Sequence, residues 1–125
     1  TGQLWRFFSL LLDAHNAYDD AVGVALNYIH SKYMYPLSVE DIAQTVGLER
    51  SYFSVLFKEK TGMSPYQYLT ALRIRKARIL LRETDTSVAR IAEAVGMDSR
   101  NFARLFKKET GETPLQYRQK RRKEQ

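Results

Sequence analysis

Apolar residues recur at helical spacing along most of this chain, and glycine or proline interrupts them at intervals. From Leu37 onward the order is Ser38, then Ile42, Ala43 and Val46 on one stripe of barely two turns, then Gly47. A serine before such a stripe offers a side-chain acceptor to the first free amides of a helix. Asp41 falls at the third helical position, and Leu37 can staple onto Ile42. Gly47 stops the helix, because a left-handed residue is cheapest as glycine. Leu48 plugs the turn. Phe53, Leu56 and Phe57 then return at spacings of three and four, which predicts a second helix closed by Gly62.

The same pattern comes round again. Sliding Ser38 onto Ser87, an offset of 49, lays SVEDIAQTVGLERSYFSVLFKEKTGMSPYQY over SVARIAEAVGMDSRNFARLFKKETGETPLQY without a gap. The matched pairs include Ile42/Ile91, Ala43/Ala92, Gly47/Gly96, Phe53/Phe102, Phe57/Phe106, Gly62/Gly111, Pro65/Pro114 and Tyr68/Tyr117. A short helix, a glycine turn with an apolar plug and a second helix make up the helix-turn-helix pattern. One copy would fit any helical hairpin. Two copies with the same turn chemistry weigh against that reading.

Ser64-Pro65-Tyr66-Gln67 and Thr113-Pro114-Leu115-Gln116 are capping-box sequences with proline at the first helical position. The first opens a helix expected to run to about Leu81, with Leu69, Leu72, Ala77, Leu80 and Leu81 toward the core, a rod of roughly 25 Å. Upstream, Asp19 to about Tyr33 predicts a helix with Val22, Ala25, Leu26 and Ile29 on one side. Leu4 to His15 is also helix-like. The expected fold is therefore all-α: two helix-turn-helix subdomains joined by a long linker helix, about seven helices and no strands. The expected division is a leader at 1–18, a first subdomain at 19–63, the linker helix at 64–82, and a second subdomain with a basic tail at 83–125. The leader is expected to be the remnant of an upstream sensor or dimerisation domain, and the opening on Thr1 fits a fragment of a longer protein.

Charge sharpens this picture. The chain of 125 residues carries a net charge of +6. Residues 1–35 are near balance, whereas residues 36–125 hold 18 basic against 11 acidic groups. The basic excess thus coincides with the repeats and points to a polyanionic partner. There is no cysteine, and no apolar run approaches the roughly 20 residues that cross a bilayer. No membrane contact is expected, and the cytoplasm is the default location.

The segment from Gly47, GLERSYFSVLFKEKTGMSPYQY, and its second copy from Gly96, preceded by RIRKARILL from Arg73, resemble the AraC/XylS family of bacterial transcription regulators. The similarity covers about residues 20 to 120. It implies two helix-turn-helix subdomains whose second helices enter successive major grooves of double-stranded DNA. It also implies an activator that contacts RNA polymerase, and a separate ligand-sensing domain that would bind any small-molecule inducer outside this chain.

With the phenylalanine stripes inward, the outward residues of the first recognition helix are Arg50, Ser51, Ser54, Val55 and Lys58. Those of the second are Ser99, Arg100, Asn101, Ala103, Arg104 and Lys107. A recognition helix meets base edges with its N-terminal residues. Arg100 or Arg104 suits guanine and Asn101 suits adenine. Val55 fits two readings, a scattered surface apolar residue or a contact to a thymine methyl. Ser38, Lys58, Ser87 and Lys107 are expected at phosphates. Arg73, Arg75, Lys76, Arg78 and Arg82 form a basic cluster that is partly solvated face. The tail from Arg118 through Lys123 fits a frayed, soluble end or a further DNA contact.

An enzyme is not expected. His15 and His30 lie far apart without carboxylates or cysteines at ligand spacing, no glycine-rich phosphate loop follows a strand, and no nucleophile has a base nearby. No cofactor or metal is called for. The competing reading is a basic helical protein-interaction module, and sequence-dependent duplex affinity separates the two.

Overall fold

A computed structural model describes residues 20–124. The leader expected at 1–18 lies outside the described residues. Among those described, the chain forms seven helices and no strand. They are α1 (20–32), α2 (Val39–Thr45), α3 (Arg50–Thr61), α4 (Pro65–Glu83), α5 (Val88–Ala94), α6 (Ser99–Thr110) and α7 (Pro114–Lys123). Two compact units result: residues 20–29 with Ser38–Pro65, and His30–Leu37 with residues 66–124.

In the first unit, Val22, Ala25 and Ile29 of α1 are buried, as are Ile42 and Ala43 of α2 and Phe53, Leu56 and Phe57 of α3. Leu26 is only half-buried. Ser38 and Asp41 form the expected capping box: the Asp41 amide donates to Ser38 Oγ and the Ser38 amide to Asp41 Oδ2, both at 3.0 Å. Two amides that begin a helix are thereby satisfied by side chains. The chain then turns at Gly47, whose φ of 69° is one that L side chains avoid. The Phe53 and Phe57 rings lie 5.6 Å apart.

The second unit repeats this core. Ile91, Ala92 and Val95 pack with Phe102, Leu105 and Phe106, joined by Ile74, Ala77 and Leu81 of α4 and Tyr117 of α7. Phe102 and Phe106 are again 5.6 Å apart, and Tyr117 meets Phe106 edge-on at 5.5 Å. Full burial of each phenylalanine stabilises the unit by roughly 1.5–3 kcal/mol. The Thr113–Gln116 capping box opens α7 as its sequence predicts.

His30–Leu37 forms a strap on this unit. Arg73 Nε donates to the Tyr33 carbonyl at 2.8 Å and its Nη2 to the Tyr35 carbonyl at 2.9 Å, while the Lys76 ammonium sits over the Tyr33 ring. The His30 ring is hydrogen-bonded to the Tyr68 hydroxyl at 2.6 Å. Gly96, in the turn of the second helix-turn-helix, lies under the strap. A Cβ built there would stand 2.6 Å from the Tyr33 carbonyl oxygen, so only glycine admits so close an approach.

Candidate nucleic-acid interface

Each helix-turn-helix presents one face of its second helix to solvent, and the local chemistry fixes which face. In α3 the Glu49 carboxylate accepts hydrogen bonds from the Ser51 amide at 3.1 Å and the Tyr52 amide at 3.2 Å, closing the helix N-terminus. These amides, Ser51 foremost, hold the Glu49 carboxyl below its ordinary pKa. With Phe53, Leu56 and Phe57 inward, Arg50, Ser51, Val55 and Lys58 are exposed and Ser54 is half-buried. Val55 is 60% exposed, too open for a core role. Arg50 lies 3.6 Å from Glu40, an exposed pair of little energetic weight. Tyr52, 46% exposed on the same first turn, is absent from the outward stripe read off the sequence. The repeat offset pairs it with Asn101, and that was the signal that could have found it.

In α6 the cap is Asp98, whose Oδ1 accepts from the Asn101 amide at 3.0 Å. Phe102, Leu105 and Phe106 are buried, and Ser99, Arg100, Asn101, Ala103, Arg104 and Lys107 are all exposed. Arg100, Asn101, Ala103 and Arg104 share the helix surface over its first turn and a half, as three-and-four spacing requires. This face is polar and basic, whereas that of α3 is mostly uncharged.

The four residues expected at phosphates are likewise exposed, but their settings differ. Ser38 and its neighbouring amides are committed to the box with Asp41, and Glu40 adds a second carboxylate to the first turn of α2. Ser87 caps α5 through the Arg90 amide, with no acidic residue in that turn. An anion is therefore better accommodated at Ser87 than at Ser38. Lys58 and Lys107 each sit in the last turn of a recognition helix.

Several cations of the linker and tail are structural instead. Arg73 is committed to the strap, and burial pushes its guanidinium pKa down, although it stays cationic. The tail is not frayed: α7 runs to Lys123. Arg118 donates to the Leu81, Thr84 and Thr86 carbonyls, and Arg122 to the Thr84 carbonyl and Asp85. These bonds satisfy one carbonyl of the last turn of α4, that of Leu81, and two of the loop that follows it, those of Thr84 and Thr86. Sequence reasoning missed both roles, because backbone carbonyls carry no side-chain signature.

Among the described residues no group of three or more His, Asp or Glu side chains is placed to hold a metal, and no helix is long and apolar enough to cross a membrane. The arrangement offers polar and basic side chains on exposed helix faces, which suits binding.

A family model described as a helix-turn-helix domain, of the AraC type, matches residues 42–120. The chain belongs to the AraC-type helix-turn-helix family. Within that family it is 34% identical, over 84 residues and 67% of its length, to the lactose operon transcription activator of Staphylococcus xylosus, covering 29% of that protein. It spans 35% or less of the curated relatives named for the lactose, msm and melibiose operons. The C-terminal domain of AraT, a response regulator from Geobacillus stearothermophilus, has a TM-score of 0.79 at 34% identity, over 81% of this chain and 85% of that one. The DNA-binding domain of the global transcriptional factor AdpA, solved in complex with a target DNA, has a TM-score of 0.80 at 25% identity, over 83% of this chain and 95% of that one. AraC-type membership accounts for the doubled core described above.

Proposed function

We propose that this chain is the DNA-reading part of a transcription regulator and binds double-stranded DNA sequence-dependently, with α3 and α6 each laid in a segment of major groove. The observation that carries this reading is the α6 face. Arg100 and Arg104 are exposed on the early turns of a helix whose opposite side is locked by Phe102, Leu105 and Phe106. Arginine there can grip guanine O6 and N7 with two bonds. Arg50, Ser51, Ser54 and Val55 take the matching role on α3, and Ser99 and Ala103 complete the α6 surface. Ser38, Lys58, Ser87 and Lys107 fix the register on phosphates, Ser38 more weakly for the reason given above.

Because the two faces differ, the site is asymmetric, with two boxes about 10–10.5 base pairs apart. In the whole protein, the reading extends to activation through RNA polymerase in the cytoplasm, and to an inducer held by another domain. The name of the Staphylococcus xylosus relative, a transcription activator, supports the first point.

Selection from random duplexes, followed by titration of the winner and a scrambled duplex at two salt concentrations, tests the reading. A two-box asymmetric winner with a wide affinity gap is the expected result. Equal and steeply salt-dependent affinity for both duplexes would leave only a basic surface. The protein-interaction reading would then replace it.

A further inference from the structure

We infer that Asn101 is a positioning residue for Arg104, with Asp98 as its anchor, and that this three-residue chain sets specificity at a single base pair. The inference rests on the DNA-reading role proposed above.

Asp98, the N-cap of α6, and Asn101 and Arg104 on the helix succeed one another at intervals of three. Asp98 divides its carboxylate between two tasks. Oδ1 caps the helix through the Asn101 amide at 3.0 Å, and Oδ2 accepts from the Asn101 side-chain Nδ2 at 2.7 Å. A carboxylate only accepts, so the Asn101 NH2 must face Asp98 and its Oδ1 must face away. That oxygen points along the helix to Arg104, whose Nη2 donates to it at 3.5 Å. The last contact is long, and its role is to bias the guanidinium's direction while its other nitrogens remain free to donate.

The same geometry argues against Asn101 as an adenine reader. Bidentate recognition of adenine needs both the NH2 and the carbonyl of the amide. Here one N–H of the NH2 is held by a short, charge-assisted bond to Asp98 and the carbonyl is turned toward Arg104, so the amide is not set to present both groups to a base. The first unit is built differently at the matching positions. Glu49 uses both carboxylate oxygens on backbone amides, and the positions matching Asn101 and Arg104 are Tyr52 and Val55.

The test is a double-mutant cycle on the selected duplex and on duplexes changed one base pair at a time. Asn101→Ala is expected to lower the preference for guanine at the Arg104 base pair about fivefold, a part of the discrimination one bidentate arginine supplies. It should have no further effect in an Arg104→Ala background. Asp98→Ser, which keeps a good N-cap but lacks the second oxygen, should reproduce the loss. In the free protein, 15N relaxation at Arg104 Nε should report greater mobility in Asn101→Ala with an unchanged melting temperature.

A loss that persists in the Arg104→Ala background, or that maps to an adenine at a neighbouring base pair, makes Asn101 a direct reader and overturns the inference. So does unchanged Arg104 mobility. If wild-type protein does not distinguish the selected duplex from a scrambled one, the DNA-reading role itself fails and takes this inference with it. Discrimination by wild type together with an additive cycle removes the positioning role alone.

Discussion

The two helix-turn-helix copies share their cores and differ at their surfaces. Phe53 and Phe57 match Phe102 and Phe106 in burial and in ring separation, and both recognition helices end at a left-handed glycine. Outside the core the copies part. The first short helix begins with Glu40 and Asp41, the second with no acid. The α3 face carries Ser51, Ser54 and Val55 where α6 carries Arg100, Ala103 and Arg104. The buried core therefore resides in what was kept, and under the proposed function recognition falls to what diverged. The second copy exposes arginines and an amide, and the first a serine, a tyrosine and a valine.

The largest effects probe the shared part. Phe53→Ala and Phe102→Ala each leave a cavity in a fully buried site and should cost about 3–5 kcal/mol. Denaturant melts of the two variants should match within about 2 kcal/mol, the usual spread at fixed chemistry. A large inequality would break the equivalence of the cores.

The turn glycines should separate the copies. Both have positive φ, so alanine at either is strained by about 1 kcal/mol. Nothing lies within 4 Å of a Cβ at Gly47, whereas at Gly96 it meets the Tyr33 carbonyl at 2.6 Å. Gly96→Ala should thus lose a further 1–3 kcal/mol or so through forced displacement of the strap. Equal melting temperatures for Gly47→Ala and Gly96→Ala would show that the strap yields freely.

That contrast also marks the limit of what the sequence disclosed. The 49-residue offset, the glycine turns, the phenylalanine stripes and the caps at Ser38, Ser87 and Thr113 follow from local rules, and residue spacing alone was enough to find them. The strap did not follow. Its ties run from Arg73 to backbone carbonyls 38 and 40 residues away, and nothing in Tyr33 or Tyr35 advertises an acceptor. Arg118 and Arg122 read as tail charge for the same reason. The outward faces were legible because the inward ones were. Tyr52 lies outside the outward stripe read from the sequence, yet it stands between Ser51 and Phe53 and is 46% exposed. The caps Glu49 and Asp98 come from the structure, which also shows how differently each spends its second oxygen.

Smaller effects bear on recognition. Arg100→Ala should cost about 1–3 kcal/mol of binding to the selected duplex, and Ser51→Ala distinctly less, as measured by fluorescence anisotropy. Val55→Ala should weaken binding chiefly to duplexes with thymine at one position. A uniform loss across sequences would return Val55 to the class of incidental surface residues.

The smallest effect concerns pH. Glu49 has its folded-state pKa lowered by the Ser51 and Tyr52 amides. Its contribution to stability is present above the ordinary carboxylate pKa and is lost as pH falls through the lowered value. Thermal melts of Glu49→Gln and wild type should therefore converge at acid pH and diverge toward neutrality. A constant difference across the range would deny the cap its charge dependence.

The central claim is that one chain reads two unequal boxes, one with each copy. A hydroxyl-radical footprint on the selected duplex tests it most directly, with wild type and an Arg100→Ala, Arg104→Ala double variant side by side. The account predicts two protected patches about one helical turn apart, and loss or marked weakening of one patch alone in the variant. A single patch, or two patches that fade together to the same degree, would contradict it.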